Sequence, residues 1–135
     1  MIAWKEVTVP TGARVQLLDV TRHAAGQVSA SKVRNGMCYL YVPHTTAGIT
    51  INENADPDVV TDLVGGLERL VPRAGNYRHA EGNSDAHIKA TLTGFSCMVP
   101  IVDGRLALGT WQGIYFCEFD GPRSRKLLIG ISGEP

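Results

Sequence analysis

Of the four histidines in the chain, His44, His79 and His87 sit in polar, irregular or element-end stretches rather than in apolar runs. His44 follows a proline at the end of an apolar run, His79 lies in a long polar stretch, and His87 falls in the first turn of a short helical segment. Neutral imidazoles bind zinc and similar ions, and three such ligands with an open fourth position hold a metal-bound water or a substrate. The chain has no His-Glu-x-x-His helix, so the three rings would have to converge from separate elements. The positive end of a helix disfavours imidazolium, which would keep His87 neutral as a ligand or general base must be. Spacing alone leaves three surface or hydrogen-bonding histidines as the alternative. His23 lacks polar company and reads as structural.

Amides, carboxylates and cations accompany the histidines. Asn52-Glu53-Asn54 concentrates groups that can hold a metal-bound water, a heterocycle edge or a ribose-like hydroxyl, or that simply make a turn. Glu118 alternates with Phe116, Ile114 and Gln112 on one face of a strand whose other face is also apolar. A carboxylate there must be paired, because an isolated buried charge is too costly. Its structural partner would be Arg105, Arg123, Arg125 or Lys126. Trp111 can stack on a planar ligand or serve as core. Lys89, Arg78 and Arg73 lie near the segment that carries His79 and His87, as a phosphate or diphosphate ligand requires, although each taken singly is an ordinary surface charge. There is no Walker loop, Gly-x-Gly-x-x-Gly motif or Gly-x-Ser-x-Gly elbow.

The elements that would position these groups are read from periodicity. Ile2 to Val9 and Ala13 to Val20 are strand-like runs split by Pro10-Thr11-Gly12, which predicts a hairpin. Thr21 is placed to cap a helix running to about Asn35, with Gly36 ending it. Met37 to Val42 and Ala47 to about Asn52 read as strands flanking Pro43-His44-Thr45-Thr46. Asp56-Pro57 opens a helix whose apolar face is Val60, Leu63, Val64, Leu67 and Val71. Gly65-Gly66 within it suggests that another backbone, such as a second subunit, approaches closely. Pro72 to Asn83 is a long polar loop. Ser84 is placed to cap a helix over Asp85 to Thr93, stopped by Gly94. Strands follow at Phe95 to Val102, Arg105 to Gly109, Gln112 to Phe119 and Lys126 to Ile131, with a turn at Asp103-Gly104. The pattern predicts one α+β domain spanning residues 1–135, a mainly antiparallel sheet or sandwich with two or three packed helices.

At 135 residues the chain can bury roughly two-thirds of its unfolded surface without a staple. Thirteen basic residues balance thirteen acidic ones, so no net field gathers nucleic acid or an anionic membrane. Cys38, Cys97 and Cys117 lie far apart and read as core thiols of a reducing compartment. Met1-Ile2-Ala3-Trp4-Lys5-Glu6 carries charge where a secretion signal needs an apolar run, and no segment approaches the ~20 apolar residues of a membrane span. A cytoplasmic protein acting on a small molecule is expected.

Taken together, His44-Thr45-Thr46-Ala47-Gly48, Asn52-Glu53-Asn54-Ala55-Asp56-Pro57, Tyr77-Arg78-His79, Asp85-Ala86-His87-Ile88-Lys89 and Gly104-Arg105-Leu106-Ala107-Leu108-Gly109-Thr110-Trp111-Gln112-Gly113 resemble, in order, the pattern of the YjbQ-like, or secondary thiamine-phosphate synthase, family. The resemblance runs from about Gly36 to Ile131. It implies a homotrimer with the polar cluster near a subunit boundary, and an activity joining hydroxymethylpyrimidine diphosphate to thiazole phosphate with loss of diphosphate. Such chemistry needs cations or magnesium on the leaving diphosphate and a pocket that stabilises an electron-poor pyrimidine. The resemblance places His44, His79, His87, Glu53 and Glu118 in catalysis, and Asn52, Asn54, Arg78, Asp85, Lys89, Thr110, Trp111 and Gln112 in substrate binding. The divalent metal would be zinc at the three histidines or magnesium carried by the diphosphate. Two other functions stay open: a metal-dependent hydrolase of a phosphorylated or heterocyclic small molecule, and a non-catalytic trimeric ligand-binding protein.

Overall fold

The computed structural model describes residues 1–135. Its elements are, in order, β1 (Ala3–Pro10), β2 (Gln16–Asp19), α1 (Thr21–Ser31), β3 (Asn35–Tyr41), β4 (Ala47–Glu53), α2 (Pro57–Leu70), α3 (Ser84–Thr93), β5 (Ser96–Val102), β6 (Arg105–Leu106), β7 (Gln112–Glu118) and β8 (Ser124–Glu134). The strands form a five-stranded sheet, β1-β8-β3-β5-β6, and a three-stranded sheet, β2-β7-β4. Every pairing is antiparallel. The α+β class expected from the sequence is the class observed. No helix is long and apolar enough to cross a membrane.

Strand alternation builds the layers. Val9, Leu40, Leu127 and Ile129 from the large sheet meet Ile49 and Phe116 from the small one in a continuous core, and α1 adds Ala24 and Val28. Tyr115 and Cys117 of β7 point the other way and, with Phe119 just beyond the strand, pack with Ala86 and Ala90 of α3 and with Val60 and Leu67 of α2. β7 is thus covered on both faces, as its apolar pattern implied. The outer face of the large sheet stays bare, and Trp4, Tyr39, Tyr41, Met98 and Leu128 line a groove of about 680 Å³ on it.

The expected hairpin between the first two strands is not formed. β1 pairs with β8 and β2 with β7, in different sheets. The Thr11 N–H donates to the Arg123 carbonyl and the Gly121 N–H to the Arg14 carbonyl, so the Pro10-Thr11-Gly12 corner runs beside the corner between β7 and β8 instead of folding back. The two segments make one bent ribbon that changes sheets at Thr11–Arg14 and Phe119–Arg123.

Helix limits also differ from expectation. α1 ends at Ser31, four residues early, with Lys32 in the left-handed conformation (φ 60°), and Gly36 lies inside β3. Thr21 does not cap α1: its hydroxyl donates to Asp19 Oδ1 (2.6 Å) and accepts from the Ile114 N–H (2.9 Å), tying the helix to β7. Ser84 is the first helical residue of α3, preceded by Asn83. Asp56 does cap α2, accepting from the Asp58 N–H at 2.9 Å, with Pro57 first in the helix. Gly94 ends α3 at φ 88°, a conformation that glycine alone adopts cheaply. Within the chain, Gly65 and Gly66 face only the Arg69 guanidinium, not a second backbone.

The sheet-changing corner encloses one ion pair. Arg125 of β8 (2% exposed) meets Glu118 of β7 (0% exposed), Nε to Oε2 at 2.8 Å and a second guanidinium nitrogen to Oε1 at 2.5 Å. Arg125 also donates to the Thr46 hydroxyl (2.8 Å), and the Thr11 hydroxyl donates to Glu118 Oε2 (2.8 Å). Removing one member of a buried pair strands the other charge, at a cost of about 3–5 kcal/mol, whereas replacing both by apolar side chains is often neutral. Arg125→Met is expected to lose stability on that order in urea denaturation, and Arg125→Met with Glu118→Leu to recover most of it. Equal losses in the single and double variants would show that pairing is not what the corner depends on.

Candidate functional site

The candidate residues fall at two ends of the β4–β7 pair. At one end Ala47 is opposite Glu118, and at the other Asn52 and Glu53 are opposite Gly113 and Gln112. β4 is seven residues long, so at about 3.3 Å per residue the ends are about 20 Å apart. Asn52, Glu53, Asn54, Thr110, Trp111 and Gln112 therefore do not join the histidines within this chain. They build the loops at their own end. Asn54 donates from its side chain to Asp19 Oδ2 (3.2 Å) and from its backbone to the Trp111 carbonyl (3.0 Å). Gln112 Oε1 accepts from the Gly109 N–H (2.8 Å), the Asn52 side chain takes the Glu53 N–H (2.7 Å), and the Glu53 carbonyl accepts the Tyr115 hydroxyl (3.0 Å). Trp111 is 63% exposed, not core.

At the Glu118 end, chain segments converge on a cleft of about 300 Å³ lined by Thr45, Thr46, His79, Glu81, Asn83, His87, Asp120 and Arg123, with no apolar side chain among them. The His79 and His87 rings stand edge to face with centroids 5.4 Å apart. His79 Nε2 lies 3.9 Å from Glu81 Oε2. Arg78 lines an adjoining depression of about 490 Å³ that shares both rings and adds Asn76, Tyr77, Ser84 and Ile88. The buried ion pair forms the support beneath: Glu118 Oε1 accepts the Asp120 N–H at 2.9 Å, fixing the turn that carries Asp120 and Arg123. Asp120 Oδ2 accepts from Arg123 (3.3 Å) and from Asn83 Nδ2 (2.8 Å). Asn83 Oδ1 is buried and accepts no hydrogen bond, a deficit that costs about 1–3 kcal/mol when a group stays unmet.

The sequence offers Arg123 only as a structural partner for Glu118 and gives Asn83, Glu81, Asp120 and Thr45 no individual role. The available signals were local: Asp120 and Arg123 lie just past the strand holding Glu118, and Asn83 immediately precedes the helix bearing His87.

Asp85 and Lys89, expected to meet substrate, lie under α3 and are 0% exposed. Arg14 grips Asp85 with two nitrogens (3.0 and 3.2 Å), and Lys89 bridges Asp85 (2.9 Å) and Glu68 of α2 (2.5 Å). Burial favours the protonated form of Asp85, yet the hydrogen bonds from Arg14 and Lys89 outweigh it and hold the carboxyl below its usual range. Glu118 follows the same logic: burial opposes its charge, and Arg125, the Asp120 N–H and Thr11 prevail. These charges hold the helix that carries His87; they do not line the cleft.

His44 does not join the ring pair. Its Nε2 accepts the Lys126 N–H at 2.9 Å, so that lone pair is already used. No group of three or more His, Cys, Asp or Glu side chains in the chain could hold a metal ion, and the expected three-histidine zinc site does not fit this placement.

The UPF0047 protein YjbQ-like family profile matches residues 5–134. The UPF0047 protein of Methanocaldococcus jannaschii is 52% identical over 93% of this chain and 91% of its own length. YugU of Bacillus subtilis is 46% identical over 96% and 98%. The crystal structure of an uncharacterised YjbQ/UPF0047 family protein from Clostridium acetobutylicum superposes with a TM-score of 0.94 at 52% identity, covering 95% of this chain and 99% of that one. A protein of unknown function from Sulfolobus solfataricus gives 0.95 at 31% identity, covering 99% of each.

Burial, then the charge of Arg125, lowers the His44 pKa, with Glu118 opposing. Protonating Nε2 would also set two N–H groups against each other. A histidine with a lowered folded-state pKa binds its proton more readily when unfolded, so its contribution is complete above about pH 6.5 and is lost as pH falls toward the folded value. Unfolding free energy measured between pH 7 and 5 is expected to decline less steeply in His44→Gln than in the wild type; identical slopes would contradict the assignment.

Proposed function

The chain belongs to the YjbQ-like UPF0047 family, and from that premise we propose a small-molecule enzyme working at the His79–His87 cleft with the activity of a secondary thiamine-phosphate synthase. The observation that carries this is the lining: two imidazoles, a guanidinium and two carboxylates meet with no apolar side chain among them. In the reaction the bond from the pyrimidine's methylene carbon to the diphosphate oxygen breaks, and its electron pair leaves with the diphosphate. The thiazole nitrogen lone pair forms the new C–N bond. The leaving group gathers negative charge, and preorganised donors at that point lower the barrier most. Arg123, Arg78, the Thr45 hydroxyl and the imidazole N–H groups are the donors at hand, and Lys89 has no part in it. Magnesium bound to a diphosphate would find the Glu81 carboxylate as an oxygen ligand, the chemistry that ion prefers.

A second function, hydrolysis of a phosphorylated small molecule, draws support from the His79 and His87 rings meeting in one polar cleft, since imidazole is the commonest general base acting on water.

The bare sheet face supports self-association, and the number of copies, three, is what the family resemblance implies. Met98 is 62%, Trp4 52% and Tyr41 46% exposed on it, and an apolar patch of this kind marks an interaction surface.

Purified protein given the pyrimidine diphosphate, thiazole phosphate and magnesium is expected to form thiamine phosphate, with His87→Ala about 10²-fold slower or worse and Arg123→Ala also impaired. Diphosphate or phosphate release without the thiazole would favour the hydrolase; unchanged rates in both variants would remove the cleft from either reaction. Light scattering is expected to give about three times the 14.6 kDa chain mass, and Met98→Glu to lower it. A monomeric wild type would remove the trimer.

A further inference from the structure

One corner of the cleft has a polarity that the diphosphate does not explain. Asn83 donates through Nδ2 to Asp120 Oδ2 at 2.8 Å. That carboxylate sets the orientation of the amide, because reversing it would bring two acceptor oxygens together at the same distance. Asn83 Oδ1 is therefore committed to be an acceptor, and it is buried without a donor. The neighbouring carboxylate repeats the pattern: the side-chain donors reaching Asp120, Asn83 and Arg123, both end on Oδ2, so Oδ1 takes none. Nor is the orphan spent on the helix, since Asn83 makes no capping bond from its side chain to α3.

A buried acceptor left unmet in a cleft wall calls for a group that brings the hydrogen. An anion cannot, since phosphate and carboxylate oxygens would face Asn83 Oδ1 and Asp120 Oδ1 as acceptor against acceptor. We propose that Asn83 and Asp120 form the recognition pair for the amino group of an amino-substituted heterocycle, with the exocyclic N–H donating to Asn83 Oδ1 and the Asp120 carboxylate favouring the same donor-rich edge. His79 and Glu81, exposed on the same segment between α2 and α3 that carries Asn83, border the approach to the shielded oxygen. The phosphorylated end of such a molecule then lies toward Arg78 in the adjoining depression and toward Arg123 Nη1, the guanidinium nitrogen that Asp120 does not engage. This assignment rests on the cleft being the substrate site and specifies which end of the substrate lies where.

The test is calorimetric binding of two uncharged rings to the full-length protein, 4-amino-5-hydroxymethyl-2-methylpyrimidine and its counterpart with a 4-oxo group in place of the amine. The amino compound is expected to bind at least about tenfold more tightly, as a site built to pair a donor rejects the analogue that lacks it. Asn83→Ala and Asp120→Asn are each expected to erase that preference while thermal unfolding stays cooperative. Equal binding of the two rings, binding of neither, or an undiminished preference in both variants would overturn the proposal. Because the readout is binding rather than turnover, an amino preference in a protein that forms no thiamine phosphate would leave the recognition pair standing and reject the synthase; thiamine phosphate formation without the preference would do the reverse.

Discussion

Glu118 and Arg125 are enclosed where the bent ribbon of β1–β2 and β7–β8 passes from one sheet to the other, and each is satisfied by groups that belong to other segments. Arg125 reaches Thr46 at the head of β4, Glu118 takes the hydroxyl of Thr11, and the same carboxylate holds the backbone of Asp120. Removing water from two charges is costly unless the remaining donors and acceptors are matched. The match here requires three strands and two corners to be in register at once. The cleft inherits its floor from that requirement, because Thr45, Thr46, Asp120 and Arg123 all extend from chain the ion pair holds.

The opposite wall has a separate support. α3 presents His87 to the cleft while Asp85 and Lys89, on its underside, are locked to Arg14 and Glu68. The charge network and the ring lie on different sides of one short helix. The sequence placed all three together as a charged, histidine-bearing segment, and only the helical rotation separates the residue that faces the cleft from those that fix the helix.

Local chemistry was legible from the sequence. Asp56-Pro57 announced α2, Gly94 marked the end of α3, and alternation along β7 identified Glu118 as a buried carboxylate needing a partner. Pairings between distant segments were not legible, because two strands joined by a short Pro-Gly corner look alike whether they fold back on each other or part to different sheets. Which of four cations would meet Glu118 depended on that choice. The wider grouping of site residues failed for a related reason: Glu53 and Glu118 each close a largely apolar strand, but two paired antiparallel strands finish at opposite ends, and residue types do not say which end a cluster occupies. Asn83 and Asp120 escape notice, and Arg123 reads only as a partner for Glu118, because each sits at an element boundary, where polar residues are common for ordinary capping and turning.

Gly48 adds a mechanical constraint. A side chain there would collide with the Gly94 carbonyl at 2.5 Å and with the Thr93 hydroxyl, and the neighbouring Ile49 N–H already bonds that carbonyl at 3.0 Å. α3 is thus pressed onto β4 at its C-terminal end and bolted by Asp85 at its N-terminal end, so it behaves as a beam clamped at both supports. His87 rides on that beam, whereas His79 hangs from the connecting loop. The ring pair thus joins a doubly anchored element to a connecting segment, and opening such a segment costs less free energy than lifting a packed helix.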